Sequence, residues 1–142
     1  MNTLTERLTA AVENIPQKGP MRLIDTLDHA ENDSAIASTK IKEDMIFLRE
    51  NGIMDDVAYA EMISQAIAAF NCFKGVEQPD AGEWLLVGIE NLEVKKSACI
   101  GDTLKISVKK QTELGSFSVI EGVVKRKEEL LAKGKLKLFC SA

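Results

Sequence analysis

A single carboxylate, Glu61, interrupts the apolar run AYAEMISQAIAAF at residues 58–70. The apolar pattern extends over about 57–73 without glycine or proline, which predicts a helix of four or five turns. A helix that is apolar on nearly all sides is buried on all sides, and a lone carboxylate is costly to bury unless it is partnered or protonated. Ser64 and Gln65 follow on the same helical face and can donate hydrogen bonds to Glu61.

Two interpretations of Glu61 stay open. Carboxylates whose pKa is shifted by burial and by neighbouring groups cluster at catalytic sites, where they act as general acids or bases. A structural carboxylate at a helix edge or a subunit interface, satisfied by a neighbouring backbone or by water, would explain the same pattern. The elements that surround the helix determine which groups Glu61 can reach.

An amphipathic helix is predicted at the start of the chain. Thr3 and Glu6 have the spacing of a capping box, and apolar residues recur at helical spacing as far as Pro16. Further along, the turn-rich residues ENDS separate two patterns typical of strands, at 21–30 and 34–43, which predicts a hairpin. An irregular loop is predicted between this hairpin and the long helix.

The long helix is predicted to be capped by Asp55 or Asp56 and to end at Gly75. From Glu83 onward the pattern changes to period two, as in long antiparallel strands with one wet face. Four such strands, arranged as a meander, are predicted at 84–94, 103–114, 116–127 and 133–142. The sequence therefore predicts a single α+β domain, residues 1–142, in which an antiparallel sheet of about six strands wraps one long central helix.

The composition narrows the class of protein. A chain of 142 residues with 45% apolar residues has the size of one domain with a full core. Cys72, Cys99 and Cys140 are odd in number and lack CxxC spacing, which favours free thiols over a disulfide or zinc framework, and no metal or cofactor is predicted. The chain lacks a signal-peptide pattern and the run of about 18 apolar residues that a membrane span needs. We therefore expect a cytoplasmic protein without membrane contact.

Charge is distributed unevenly along the chain. Residues 1–94 hold 7 basic and 17 acidic side chains, whereas residues 95–142 hold 11 basic and 5 acidic side chains. A basic half could steer an acidic partner, although solvated strand faces would give the same pattern. Nucleic acid is not predicted as a partner, because aromatic residues are sparse and no binding motif is present. The first candidates for contact with an acidic partner are Lys95, Lys96, Lys125, Arg126 and Lys127.

Two segments carry a family resemblance. PMRLIDTLDHAE at 20–31 and IMDDVAYAEMISQA at 53–66 resemble the opening strand and the central-helix segment, IMPGVLxxEAxAQ, of the beta-hydroxyacyl-acyl carrier protein dehydratases of fatty acid biosynthesis. The resemblance spans about residues 15–140. It implies the hotdog fold, lyase chemistry and a dimer formed edge to edge, either a homodimer or a heterodimer with a related hotdog subunit. It also implies an acyl thioester of acyl carrier protein or coenzyme A as ligand, with the acyl chain in a tunnel between subunits.

The resemblance assigns roles to individual residues. In the ungapped register, Glu61 matches the family's catalytic acid and Gln65 matches its glutamine. The family's catalytic histidine belongs to an HFPG loop before the helix, and the register places Phe47 there. The residues that we predict to contact substrate are Phe47, Ile53, Met54, Asp56, Ser64 and Gln65.

Two departures from the family pattern affect the chemistry. The only histidine, His29, lies in the polar hairpin region of the first two predicted strands, where a solvated residue is expected rather than a catalytic one. Asp55 and Asp56 replace the family's Pro-Gly. Their side chains would cap the N–H groups that could otherwise hold a thioester oxygen, and their charge opposes a developing enolate.

Three functions fit these residues. The first is an acyl-thioester-binding hotdog protein of the dehydratase type, with altered or weak dehydratase chemistry or as a non-catalytic subunit whose partner supplies a histidine. The second is a hotdog thioesterase, in which Glu61 attacks the thioester or activates water. The third is a non-enzymatic binding or assembly subunit, which the missing histidine favours. For any of them, dimerisation is predicted through an edge strand, with VGIENLEV at 87–94 as the candidate.

Overall fold

The computed structural model describes residues 3–77 and 83–141 of the chain. Its helices are α1 (Leu4–Glu13) and α2 (Val57–Glu77), and a 3₁₀ turn lies at Gly19–Met21. Its strands are β1 (Thr26–Ala30), β2 (Ser34–Lys40), β3 (Glu83–Val94), β4 (Thr103–Leu114), β5 (Phe117–Arg126) and β6 (Glu129–Ser141). Ala142, at the end of the last predicted strand, and the side chain of Cys140, predicted to be a free thiol, lie outside the described part of the chain.

The six strands form one antiparallel sheet in the order β1-β2-β4-β5-β6-β3. The predicted meander is correct for β4, β5 and β6 and wrong for β3, which pairs with β6 instead of β4. The connection from β3 to β4 explains the difference. It is held at the start of α2, where Ile53 bridges to Cys99 and the Met54 N–H donates to the Ala98 carbonyl at 2.9 Å. This contact leads the chain away from β3, and β4 pairs with β2.

The central helix α2 lies in the core against one face of the sheet. Tyr59, Ile63 and Phe70 are among its fully buried residues. The closest approach is at Gly122 of β5, where an added Cβ would lie only 2.3 Å from Cγ2 of Ile63. A strand glycine is therefore needed for the helix to pack this closely. The predicted α+β hotdog arrangement, one long helix wrapped by a six-stranded antiparallel sheet, is confirmed.

The helix ends agree with the sequence prediction in one case and differ in another. Thr3 Oγ1 accepts a hydrogen bond from the Glu6 N–H at 3.1 Å, so the predicted cap of α1 is confirmed. The prediction that Gly75 ends the long helix is wrong, because α2 continues to Glu77. Gly75 does not have the positive φ of a helix-ending glycine, and it therefore remains part of the helix. In the part of the chain described, no helix has both the length and the apolar character to cross a membrane.

The segment before β1 is buried without joining the sheet. The first strand begins at Thr26 rather than at residue 21 as predicted. Leu23 and Ile24 are both buried, and their N–H groups donate to the side-chain oxygen of Gln65 on α2. A helix side chain thus accepts the hydrogen bonds from these two N–H groups, while the Asp25 N–H donates to the Ser38 carbonyl of β2.

Strand β3 lies at one edge of the sheet, which is the position expected for a dimerising strand. Four of its apolar side chains are exposed by 43–58%: Leu85, Leu86, Val87 and Ile89. A long apolar edge strand invites pairing with another chain unless it is covered. Dimerisation through this edge remains a prediction.

Candidate functional site

The carboxylate of Glu61 is half-buried on α2 and is fixed by Gln65, one turn further along the helix. Gln65 Nε2 donates to Glu61 Oε1 at 3.0 Å, as the sequence predicted, and to the Met21 carbonyl at 2.8 Å. Gln65 Oε1 accepts from the N–H groups of Leu23 at 2.7 Å and Ile24 at 3.4 Å. Because Gln65 is fully buried, these contacts hold Glu61 Oε1 in one place. Oε2 is the oxygen that remains for proton exchange.

A cavity of about 540 Å³ follows α2 from Glu61 toward the helix C-terminus. This volume lies within the range of about 300–1,000 Å³ that is usual for small-molecule sites. The α2 residues that line it lie on one helical face and include Glu61, Ser64, Ala68, Asn71 and Cys72. Every lining residue from α2 is at or after Glu61, so the cavity extends in one direction from the carboxylate.

The cavity is polar at both ends and apolar between them. The wall opposite the helix is formed by leucines of β3 and β6, namely Leu85, Leu86, Leu136 and Leu138. At the end far from Glu61, the Asn14 carbonyl contacts the Cys72 thiol beside Asn71, and Pro16 and Gln17 from the same segment also line the cavity. The shape and polarity suit a ligand with a reactive polar group at Glu61 and a hydrocarbon chain along the helix.

The Cys72 thiol at the far end is a weak nucleophile. Burial raises its pKa, and the nearby charge of Lys18 opposes this effect only in part. Its Sγ donates to the Asn14 carbonyl at 3.7 Å. A thiol that stays protonated is a weak nucleophile, so Cys72 forms part of the wall.

The first N–H groups of α2 are capped by the two residues that precede the helix, Asp55 and Asp56. The Val57 N–H donates to Oδ1 of Asp55 at 3.1 Å, which confirms Asp55 as a capping residue, and this contact lowers the pKa of the Asp55 carboxyl. The N–H groups of Ala58 and Tyr59 donate to the carbonyls of Asp55 and Asp56 at 3.1 and 3.3 Å. These three N–H groups are therefore occupied and are not available to a thioester oxygen.

Four of the predicted substrate contacts lie before the helix and do not line this cavity. Phe47 is half-buried against the core, and Met54 is fully buried in it. Ile53 is partly buried, and Asp56 is exposed at the start of α2. Within one chain, the structure therefore brings only the two predicted contacts on α2 to Glu61. The roles predicted for all six residues remain predictions.

His29 lies at one edge of the sheet, and the cavity beside Glu61 lies against the strands at the opposite edge. His29 is exposed on β1, an edge strand, and its Nε2 lies 2.8 Å from Glu31 Oε1. The cavity lies against β3 and β6, at the other edge. Within one chain, the only histidine therefore does not share the site of Glu61, in agreement with the solvated position expected from the sequence.

A charged group near the start of α2, made of Arg126, Asp102 and Glu129, was not predicted from the sequence. Arg126 donates to Asp102 at 2.7 Å and to Glu129 at 3.1 Å, and Asp102 also accepts from the Cys99 N–H at 2.9 Å. Burial alone would raise the pKa of Asp102, but the hydrogen bonds from Cys99 and Arg126 lower it overall. The group fixes the segment that bridges to residues before α2. Its members come from two separate connections, β3 to β4 and β5 to β6, so no local pattern links them.

Four further polar residues line the cavity, and two of them have a helical spacing from Glu61 that could have revealed them in the sequence. Asn71 and Cys72 lie 10 and 11 residues after Glu61, and this spacing returns to the same helical face. Asn14 and Gln17 had no such signal, because only the packing of the segment after α1 against α2 brings them to the cavity.

Comparison with known proteins identifies relatives of this chain. The family model described as ApeP-like, ApeP dehydratase, matches residues 9–142. No curated protein matches the sequence.

Several solved structures have the same fold. The dehydratase heterocomplex ApeI:P from Xenorhabdus doucetiae matches with a TM-score of 0.79 and 18% identity, covering 95% of this chain and 91% of that chain. A Streptococcus mutans protein bound to acetyl coenzyme A matches with a TM-score of 0.73 and 15% identity, covering 91% and 97%. A hypothetical thioesterase with coenzyme A from Streptococcus pneumoniae matches with a TM-score of 0.69 and 10% identity, covering 82% and 84%. At these identities the likeness establishes the fold.

Proposed function

Because the chain belongs to the ApeP-like dehydratase family, we propose that it binds acyl thioesters and supplies Glu61 as the acid of a two-subunit 3-hydroxyacyl thioester dehydratase. A related hotdog subunit supplies the histidine. The observation that carries this proposal is the position of Glu61, which is fixed by Gln65 at the head of a cavity with an apolar middle. Fatty acid biosynthesis in the cytoplasm is the setting that the family resemblance favours.

The proposed reaction needs two groups. Dehydration breaks the C2–H and C3–O bonds of the substrate, forms a C2–C3 double bond and releases water. A base takes the C2 proton, and an acid gives its proton to the departing hydroxyl. Glu61 acts as the acid through Oε2, since Oε1 is occupied by Gln65. The electron pair of the C2–H bond becomes the double bond, and the C3–O pair leaves with the hydroxyl.

In the described part of this chain, no histidine lies beside Glu61 and the first N–H groups of α2 are not free. Its one histidine is at the opposite edge of the sheet, and the first N–H groups of α2 are occupied by Asp55 and Asp56. In this proposal, the base and a donor for the thioester oxygen come from another subunit. The exposed leucines of β3 border both the sheet edge and the cavity, so a subunit paired with β3 would stand beside Glu61. The heteromeric nature of the ApeI:P dehydratase supports a hetero- rather than a homodimer.

The test compares the chain alone with its complex. The tagged chain is isolated from its native cells, a second hotdog subunit is identified by mass spectrometry, and hydration of crotonyl thioester, the reverse reaction, is followed by absorbance. We expect activity in the complex and at most traces in the chain alone. Glu61→Gln in the complex should lower kcat by about 10²–10⁴-fold, the range usual for a general acid.

A matched change is Glu121→Gln on the outer face of β5, where the side chain accepts a hydrogen bond from Gln111. It should leave hydration unchanged. Full activity of the Glu61→Gln complex would refute the role of Glu61, and full activity of the chain alone would refute the division between two subunits.

A thioesterase is the second candidate, because a carboxylate at the head of a cavity can attack a thioester or activate water without histidine. Against it stands the occupation of the Val57, Ala58 and Tyr59 N–H groups, so that none of these three helix-start donors is available to the thioester oxygen. Release of free thiol in the same assay distinguishes this function from hydration. A chain that binds thioesters and gives neither signal, alone or in its complex, would be a non-enzymatic subunit.

A further inference from the structure

The outer face of the sheet, which points away from α2, carries an apolar strand among its central strands. Gly122 of β5 faces α2, so strand alternation places Phe117, Val119, Glu121 and Val123 on the outer face. Phe117 is 52% exposed, and the two valines are partly exposed. Because the solvated face of an antiparallel sheet is normally polar, three apolar side chains on one strand indicate a surface that another chain covers.

The neighbouring strand β6 carries side chains of the opposite kind on the same face. Phe117 lies edge to face with Phe139, with ring centroids 5.4 Å apart, and Glu121 lies opposite Lys135. The outer face of β5 is therefore apolar with one acid, whereas that of β6 is basic beyond its phenylalanine. The lysines of β6 that pair with Val119, Glu121 and Val123 are Lys137, Lys135 and Lys133, respectively.

A row of charges with alternating sign crosses four strands of this face. Lys109 on β4 pairs with Glu121 on β5. Lys135 on β6 pairs with Glu121 on one side and with Glu90 on β3 on the other. When such a row is turned end to end over itself, every charge meets its opposite. Opposite charges that are neighbours in one sheet stabilise that sheet, and the same order makes the row complementary to a second copy of itself.

The charges select one way of stacking two copies. If β5 lay over β5 of the second copy, Glu121 would face its own counterpart, and β6 over β6 would set lysines against lysines. Both arrangements are unfavourable. A two-fold axis between β5 and β6, parallel to the strands, instead sets Glu121 over Lys135 of the second copy. It also sets Phe117 over Phe139 and both valines over the apolar stems of lysines.

The area of this face sets the expected strength of the contact. Four strands span about 19 Å, and residues 117–123 of β5 span about 24 Å. Two such faces in contact would bury roughly 900 Å², which is at the low end for specific interfaces. Association in the micromolar range is therefore expected.

We propose that two copies of this chain associate back to back through the outer faces of β5 and β6, with β5 of each copy over β6 of the other. The helix α2 and the cavity beside Glu61 lie on the other face of the sheet. The contact is therefore independent of the proposed function, and its loss leaves thioester chemistry unchanged.

Exchange of charges between copies tests this arrangement by sedimentation velocity of the purified full chain at micromolar concentrations. Wild type should form an assembly with twice as many subunits as either Glu121→Lys or Lys135→Glu alone. Each change sets like charges over each other and should raise the dissociation constant by at least about tenfold. An equimolar mixture of the two variants should recover the doubled assembly, since the new lysine of one chain faces the new glutamate of the other.

Two further variants separate this contact from effects within one chain or of net charge. Lys133→Glu makes the same exchange on the same strand and face, but opposite Val123, and should keep the doubled assembly. Phe117→Ser changes no charge and should halve the assembly, because it removes the ring over Phe139 of the second copy.

The mixture is decisive, because mixing changes contacts between chains and leaves those within each chain as they were. Recovery of the doubled assembly would support β5 over β6. A wild type no larger than the two variants, or variants that stay small when mixed, would overturn the proposal. An equal loss in Lys133→Glu and Lys135→Glu would also overturn it, because net charge rather than this alignment would then control association.

Discussion

Gln65 makes the two oxygens of the Glu61 carboxylate unequal. Oε1 is held by the Gln65 amide, which is itself held by backbone groups of Met21, Leu23 and Ile24. An amide held at both ends cannot rotate to follow a proton, so its N–H stays directed at Oε1. One side chain therefore fixes the acid and ties the segment before β1 to the core.

Glu61→Gln should remove thioester chemistry and preserve the fold. The new amide keeps the shape, and its oxygen can still accept the hydrogen bond from Gln65, while the cost of holding a charge in a half-buried position is removed. We expect the free energy of unfolding at neutral pH to be equal or higher in the variant, measured by urea denaturation. A loss of stability would mean that the charge itself is part of the structural network.

Phe47→His should give a weak gain of hydration activity in the chain without a second kind of subunit. The resemblance places Phe47 where the family has its histidine, and pairing through β3 would bring it to the partner's carboxylate. We expect only a small rate, since a misplacement of about 1 Å can cost roughly a hundredfold. The double variant Phe47→His, Glu61→Gln should lose the gain. If the double variant keeps it, the new histidine acts without the carboxylate.

The predicted site residues that lie together in the structure are those on α2: Glu61, Ser64 and Gln65. Glu61 stands out because it is the only charged side chain between Val57 and Phe73, and Gln65 follows at the spacing that makes contact. The other partners of Gln65 could not be predicted, because they are backbone groups of a segment that was assigned to a strand. A backbone group carries no sequence signal of its own.

At the scale of elements, Gly122 sets how closely α2 packs against the sheet. Gly122→Ala places a methyl group within 2.3 Å of Ile63, and such overpacking costs about 1–3 kcal/mol. We expect this loss in the free energy of unfolding. Gly88→Ala is the matched control, because an added Cβ at that position meets nothing within 4 Å. Equal stability of the two variants would show that α2 can move away from β5 at no cost.

The Arg126 group should make stability depend on pH. The pKa of Asp102 is lowered in the folded state, so its contribution is fully present above its unfolded value of about 3.9 and is lost as the pH falls through the folded pKa. Arg126→Ala should cost about 1–2 kcal/mol at pH 7.

This difference between wild type and Arg126→Ala should shrink as the pH falls below about 4 and through the lowered folded pKa of Asp102, where its carboxyl becomes neutral. Urea denaturation across this range measures it. Lys125→Ala, at an exposed site next in sequence, should change stability by no more than about 0.5 kcal/mol. A cost of Arg126→Ala that is the same at pH 7 and pH 3 would exclude the ion pairs as its source.

The elements were more predictable than their order. Alternating apolar residues mark β4, β5 and β6, and their short connections make them neighbours. The place of β3 could not be predicted from its own pattern, because it depends on where the connection to β4 docks. That docking is the Ile53–Cys99 bridge, formed by two backbone hydrogen bonds, Met54 N–H to the Ala98 carbonyl and Ile100 N–H to the Gly52 carbonyl.

At the scale of the whole molecule, part of the basic half is already neutralised by neighbours. Lys96 and Arg126 both contact Glu129, and Lys95 pairs with Glu93 at 3.4 Å. Among the described residues, Lys125 and Lys127 form no recorded ion pair. Of the five predicted contacts for an acidic partner, these two therefore have charges that remain available.

Reversal of these two charges tests docking of a carrier protein. Lys125→Glu, Lys127→Glu should weaken binding of an acyl carrier protein thioester and leave binding of the coenzyme A thioester less affected. The difference should fall with added salt, which screens over about 8 Å at physiological ionic strength. Lys40→Glu in the acidic half should have little effect. Equal binding by all variants would assign the basic residues to a solvated surface.

The exposed edge of β3 has a consequence for how the cell must make this protein. A chain whose β3 edge is not covered exposes an unpaired strand and four aliphatic side chains to other chains: Leu85, Leu86, Val87 and Ile89. Copies in excess of the partner would be drawn into aggregates or degraded. For the two-subunit dehydratase proposed above, the supply of the two subunits would have to be balanced, and removal of the partner's gene should lower the abundance of this protein even though its own gene is intact.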